Sequence, residues 1–338
     1  MPNKILKLMK NFFFYFVIIL GCTFPRTNET VKNEDYELLN DENNIWSPLI
    51  QNTDNFLVVR GTINNTECNI MIDTGGNEMG IIKMDSAFFY STMDTTGLIL
   101  NKNIGNRSIM SIVYSGEIQV KISGIIFSAR EIDIRKQRFS YFREGDNYVA
   151  VIGKLFYDKI MAVDFDEQKL AFADSLVFDT LNYTKTSMHP PKIITSIQDK
   201  GNKVDNQNEK YIEVCGFIDK KGKKIAGRFL FDTGSIKPLI LKSDIGKKLK
   251  TPEVYEKFAD PFENKEALWV WRADTLNIGD INFSNVEINQ ALFGMAPGYP
   301  FLDLLEGGDG LMGMELIKRF NFIADFKNNV LYLKQNNH

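Results

Sequence analysis

Histidine is nearly missing from this chain: its 338 residues include only His189 and His338, and His189 stands directly before Pro190-Pro191. A Ser-His-Asp or Cys-His machine therefore has almost no candidate base. Cysteine is scarce as well. Cys22, Cys68 and Cys215 form no CxxC pair, and with two histidines they make a poor ligand set, so no metal and no cofactor is expected. There is no basic excess: 40 Lys and Arg stand against 43 Asp and Glu, a net charge of -3. That balance excludes a phosphate-neutralising surface, and no nucleic-acid partner is expected. Long apolar runs are absent too. The run Phe12–Leu20 has 9 residues, well short of the roughly 18–20 that a spanning helix requires. What is present is ordinary globular material, 44% hydrophobic and 25% charged, in a length that suits two domains.

The short apolar run follows Lys4, Lys7 and Lys10 and ends in Ile19-Leu20-Gly21-Cys22. A positive stretch, an apolar stretch and a small residue make a signal peptide over residues 1–21. The ending resembles the bacterial lipobox, with Ile19 in place of the more usual Leu. The resemblance implies lipidation of Cys22, a polar tether over 22–54 and a place in the bacterial cell envelope, lipid-anchored to a membrane. A plain secretory signal with an incidental Cys22 is the alternative. Cys68 and Cys215 do not fall at matching places and read as buried small hydrophobes rather than a disulfide.

One unit occurs twice. Asn69-Ile70-Met71-Ile72-Asp73-Thr74-Gly75-Gly76 returns 159 residues later as Arg228-Phe229-Leu230-Phe231-Asp232-Thr233-Gly234-Ser235. Both copies run on into apolar stretches, Ile81-Ile82-Lys83-Met84-Asp85 and Ile240-Leu241-Lys242-Ser243-Asp244. Later come Ile122-Ser123-Gly124-Ile125 and Ile278-Gly279-Asp280-Ile281, then Val151-Ile152-Gly153 and Leu311-Met312-Gly313. From aspartate to that last glycine is 80 residues in one copy and 81 in the other. A lone Asp-Thr-Gly is a weak signal; two in register with the rest of a repeat are a strong one. Apolar runs of four to eight residues broken by Gly, Asn and Asp make each copy β-rich, with short helical patterns at 84–92 and 313–320. The lobes span 55–174 and 210–334, and the polar segment 175–209 reads as an inter-lobe linker.

On these motifs the chain resembles the aspartic peptidases, the family of pepsin and the retroviral proteases, and among them the bacterial retropepsin-like lipoproteins. The resemblance covers residues 55–334. It implies a mostly β fold of two retropepsin-like β-barrel lobes in one chain, with one active site between them. It implies Asp73 and Asp232 as the catalytic pair, acting as an endopeptidase on peptide or protein substrates as a monomer. Thr74 and Thr233 would brace the loops, together with Gly75, Gly76, Gly234 and Ser235. Gly153 and Gly313 would sit behind them where a side chain does not fit. The chemistry suits a histidine-poor chain, because two close carboxyls share one proton and activate water by themselves. A peptide-binding lipoprotein without turnover, on the same fold, is the alternative.

By the same resemblance a flap hairpin falls over 109–118, with Tyr114 near its turn, and the matching stretch of the second copy holds Trp269 and Trp271. The two tryptophans share one face of a strand. They either line the substrate cleft or pack within the sheet. The stretch 293–310 is a further cleft-loop candidate. Finally, Ser235 offers a hydroxyl where Gly76 offers none. A hydroxyl donated to a carboxylate favours its charged form, so Asp232 is expected to ionise more readily than Asp73.

Overall fold

The structure is a computed structural model and describes residues 45–52, 55–76, 80–101, 112–135, 147–192, 196–199, 202–205, 207–218, 223–242, 254–259, 265–291 and 307–337. The expected signal peptide, Cys22 and most of the expected tether lie outside these residues.

The described part of the chain is mostly strand. It begins with β1 (Trp46–Pro48), β2 (Leu57–Ile63), β3 (Thr66–Ile72), β4 (Ile81–Asp85), β5 (Ile99–Asn101), β6 (Ile112–Ile122), β7 (Ile125–Arg135) and β8 (Ala150–Ile152). The middle holds β9 (Ile160–Asp164), β10 (Lys169–Ala173), β11 (Thr184–His189), β12 (Ser196–Asp199) and β13 (Asn202–Asp205). The second half holds β14 (Tyr211–Ile218), β15 (Lys223–Phe231), β16 (Leu239–Leu241), β17 (Val254–Ala259), β18 (Lys265–Ile278) and β19 (Ile281–Ala291). It ends with β20 (Gly310–Met312), β21 (Phe320–Asp325) and β22 (Val330–Gln335). Two short helices matter below, α1 (Ser86–Thr92) and α2 (Met314–Ile317).

Local chemistry explains the hairpins. Asn64 and Asn65 both take positive φ, 46° and 65°, as do Ser123 and Gly124, 51° and 78°. Each pair is the two-residue loop of a tight hairpin, β2–β3 and β6–β7. Positive φ at both positions is the turn whose twist matches the flanking strands. Gly279-Asp280 closes β18–β19 with only its glycine at positive φ, 56°. Side chains then alternate: along β3, Ile70 and Ile72 enter the core, while Met71 belongs to a separate outward cluster with Val58, Tyr148 and Val151.

Each half closes into a six-stranded barrel. The first runs β2-β3-β8-β4-β7-β6, and β6 returns to β2. The second runs β14-β15-β20-β16-β19-β18, and β18 returns to β14. The two rings match step for step, including parallel pairing at β3–β8 and β15–β20 and again at β4–β7 and β16–β19.

Between the barrels lies a sheet in the order β1-β10-β9-β21-β22-β11. At its centre Ala162 pairs with Ile323, Met161 with Ala324 and Val163 with Phe322. The repeat aligns Ala162 with Ile323. A residue facing its own counterpart marks a two-fold axis. Phe156, Phe172 and Phe326 pack together there, with ring centroids 5.4 and 5.6 Å from Phe156. All three are almost fully buried, and each such side chain contributes about 1.5–3 kcal/mol relative to exposure.

Several expectations change. The segment 175–209 contains β11, which pairs with both β22 and β14, and the β12–β13 hairpin. The end of the tether, at β1, pairs with β10. Residues 114–116 form no turn: β6 runs through them, with a register shift between Ser115 and Ile118. Cys68 and Cys215 are free thiols, and Cys215 is exposed because it sits on the outward side of β14. The second apolar stretch aligns differently as well. Ile82 pairs with Ile152 in β8, and its equivalent facing Met312 in β20 is Leu239, not Leu241. The loop after the second Asp-Thr-Gly is therefore two residues shorter. A slip of two leaves the alternation of faces unchanged, so the apolar pattern alone does not reveal it.

Candidate active site

Both Asp-Thr-Gly segments leave the ends of equivalent strands, β3 and β15. The backbone N–H of Asp73 donates to Ile152 O (2.9 Å), and that of Asp232 donates to Met312 O (3.0 Å). Behind the second loop, the first N–H groups of α2 find partners on the loop itself: Met314 N donates to Ser235 O (2.7 Å) and Glu315 N to Ile236 O (3.0 Å). Otherwise orphan donors at a helix start thus fasten the loop.

The threonines join the two halves. Thr74 Oγ1 donates to Phe231 O (2.6 Å) and accepts from Thr233 N (3.0 Å). In return, Thr233 Oγ1 donates to Ile72 O (2.7 Å) and accepts from Thr74 N (3.0 Å). Both side chains are fully buried, where an unmade hydrogen bond costs about 1–3 kcal/mol, so the lattice is rigid. It brings Asp73 and Asp232 face to face. A Cβ on Gly75 would run into the Asp232 carboxyl, and one on Gly234 into that of Asp73. The absence of those carbons lets the loops meet. Each glycine also turns its N–H onto its own aspartate, Gly75 to Asp73 Oδ1 (3.0 Å) and Gly234 to Asp232 Oδ1 (2.9 Å).

The electrostatics are less symmetric than the backbone. Burial raises the pKa of Asp73. The charge of Lys83, a hydrogen bond from Asp232 and the N–H groups of Gly75 and Gly76 pull it back. Asp232 is pushed well above the usual carboxylate range by burial and by the charge of Asp73, with Glu209 adding to it; the N–H of Gly234 opposes the shift. The pair titrates as a unit, and burial raises both carboxyls, so the two favour a shared proton over two charges. Ser235 is not among the groups acting on Asp232, whereas Gly76 acts on Asp73 through its backbone N–H.

Two tyrosines and a glutamate stand behind the loops. Tyr157 is stacked on Phe326, with 4.5 Å between centroids and 7° between planes, and its hydroxyl donates to Thr74 O (2.6 Å). Burial holds its pKa well above 10, so it stays a donor. The second copy has Ile317 at the corresponding place. Glu209 is buried and accepts a hydrogen bond from the Tyr211 hydroxyl. None of these was singled out by sequence. Lys83 had a signal, a charge inside the apolar run 81–84; Glu209 had none.

Other sequence candidates sit elsewhere. Tyr114 pairs with Ile132 and packs on Phe89 at 5.0 Å, toward the core. Trp271 is buried in the core of the second barrel, opposite Ile288, because its position on β18 faces inward. Trp269 lies on the same strand; its side chain and the stretch 292–306 are outside the described atoms. Gly313 has no room for a Cβ against Ser235 O and Lys237 O, whereas a Cβ on Gly153 would meet Gly76 O at an ordinary 3.4 Å. A cavity of about 630 Å³ bordered by Phe56, Phe165, Lys318, Arg319 and Asn336 includes neither aspartate. Among the described residues no helix is long and apolar enough to cross a membrane, and no group of His, Cys, Asp or Glu is arranged to hold a metal.

Comparison with known proteins finds no family model that matches the chain and no curated protein with a significant match.

Proposed function

We propose that this protein is an aspartic endopeptidase. It hydrolyses peptide bonds with a water activated between Asp73 and Asp232, and a lipid on Cys22 holds it at a bacterial cell envelope. The observation that carries the reading is the reciprocal Thr74–Thr233 lattice, which holds two buried carboxyls against each other. A purely structural role leaves the cost of burying two such carboxyls without a use.

In this reading Asp73 is the ionised partner and Asp232 carries the proton. Ionised Asp73 takes a proton from water, and the water oxygen bonds to the peptide carbonyl carbon. Asp232 gives its proton to the carbonyl oxygen, so the intermediate is neutral. In collapse, Asp232 takes a proton back from one hydroxyl of the intermediate. Asp73 protonates the nitrogen as the C–N bond breaks. The pair ends as it began, with one proton on Asp232.

The test is turnover of a fluorogenic peptide mixture by the full chain. Asp73→Asn and Asp232→Asn should each lower kcat/KM by at least about a hundredfold, the scale of acid–base catalysis. Wild-type turnover retained in either variant removes the reading. Peptides bound but never cleaved by the wild type would instead support the peptide-binding alternative.

A further inference from the structure

The two loops match in backbone and differ in what stands beside their carboxyls. Strand β4 places Ile82 and Met84 in the core and leaves Lys83 half-buried on the opposite face. Lys83 pairs across the sheet with Val151 of β8, and Met71 of β3 flanks Val151 on the other side. Continuing both registers by one step puts Gly153 between Ile81 and Asp73. The strand between Lys83 and Asp73 therefore presents a bare glycine at the level of the carboxyl. A small cavity, about 10 Å³, is lined by Asp73, Gly76, Ile81, Lys83, Val151 and Gly153. Gly76 keeps it open: a Cβ there would stand 3.3 Å from Asp73 Oδ2 and from the Gly153 Cα. In the second barrel the position equivalent to Lys83 is Ile240, which packs on an apolar cluster of Tyr211, Leu230 and Leu311.

We propose that Lys83 is a positioning residue that holds Asp73 as the carboxylate, and so decides which of the two aspartates carries the proton. It deepens the peptidase reading and rests on it. From β7, Asp133 lies beside Lys83 in register and is paired with Arg135, and Glu131 lies one step along the same face, beside Ile81. At the other end of β4, Asp85 is occupied in capping α1 by accepting from Phe88 N (2.9 Å). Strand β8 brings no titratable group. From behind, Tyr157 donates to Thr74 O; from the second barrel Asp232 hydrogen-bonds Asp73 and favours its ionisation, while the charge of Glu209 works against that of Asp232. Lys83 is the one of these groups whose charge draws Asp73 toward its ionised form. It stands where Gly76 supplies no side-chain donor.

The test reads protonation directly. In full chain labelled with ¹³C at the aspartate carboxyls, Asp73 and Asp232 are assigned by their loss in Asp73→Asn and Asp232→Asn, then titrated in wild type, Lys83→Met and Lys83→Arg. Ionisation of Asp73 should move to higher pH in Lys83→Met and return toward wild type in Lys83→Arg. The acidic limb of kcat/KM on the peptide mixture should move the same way. Lys83→Gln serves if Lys83→Met does not fold. An Asp73 titration that superimposes on wild type in the neutral variant overturns the proposal, even if kcat/KM falls, since that is a structural effect. A shifted titration in a protein that cleaves no peptide supports the role of Lys83 and removes the peptidase reading instead.

Discussion

At Asp232 burial opposes charge, and the neighbouring carboxylate opposes it further. The consequence for stability has a definite sign. A carboxyl whose pKa is raised on folding binds its proton more tightly in the native state. Its contribution is fully present below the unfolded carboxylate value and is lost as pH rises through the raised native value. Asp232→Asn removes that loss and can still donate to Asp73. The variant should therefore melt higher than wild type at neutral pH, and the gap should close on acidification into the ordinary carboxylate range. Thermal unfolding of both proteins across that window measures it; a gap that stays constant with pH would contradict the raised pKa. Ser235 and Gly76 differ visibly, but the difference that acts on the pair comes from Lys83 and the Gly76 N–H, both set by how loop and strand fold back on Asp73.

Among the elements, each glycine that ends the third equivalent strand, Gly153 after β8 and Gly313 after β20, invites the same reading from the repeat. The packing separates them. At Gly313 the carbonyls of Ser235 and Lys237 close the space, because that loop is two residues shorter and bonds to the start of α2. At Gly153 a Cβ reaches only ordinary contact. Gly313→Ala should destabilise by about 1–3 kcal/mol, as overpacking of backbone does. Gly153→Ala should cost well under that, since it enters the small cavity beside Asp73. Urea unfolding midpoints of the two variants compare them. Equal losses would mean that the loops are equivalent in packing as well as in sequence.

The molecule as a whole carries its symmetry inside one chain. Ala162 faces Ile323 across the central sheet, and Thr74 exchanges bonds with Thr233. A single copy thus holds both aspartates. Turnover should be first order in protein over a hundredfold dilution, with one species by light scattering; activity that falls with dissociation of a dimer would contradict a self-sufficient chain. The proposed anchor separates from this core, because Cys22 precedes the first described strand, β1, by more than twenty residues. Cys22→Ser should leave the membrane fraction while keeping peptide turnover. Retention of the variant with membranes would assign attachment to another element.

The repeat, the β character of both halves and the matching of Asp73 with Asp232 were legible in the sequence alone. They rest on local features: alternation of apolar residues, turn-forming pairs such as Ser123-Gly124, and identical triplets at one spacing. The register of β16, the inward turn of Tyr114 and Trp271, the exposure of Cys215 and the bracing by Tyr157 and Glu209 were decided only by tertiary structure. The reason is physical. A strand has two faces of period two, so a two-residue slip or a choice of face leaves the pattern intact, and only closure of the barrel selects between them. The surroundings of the carboxyls were decided in the same way, because a pKa depends on what is brought near in space, and Lys83 and Asp73 line one cavity only because β8 joins β3 to β4.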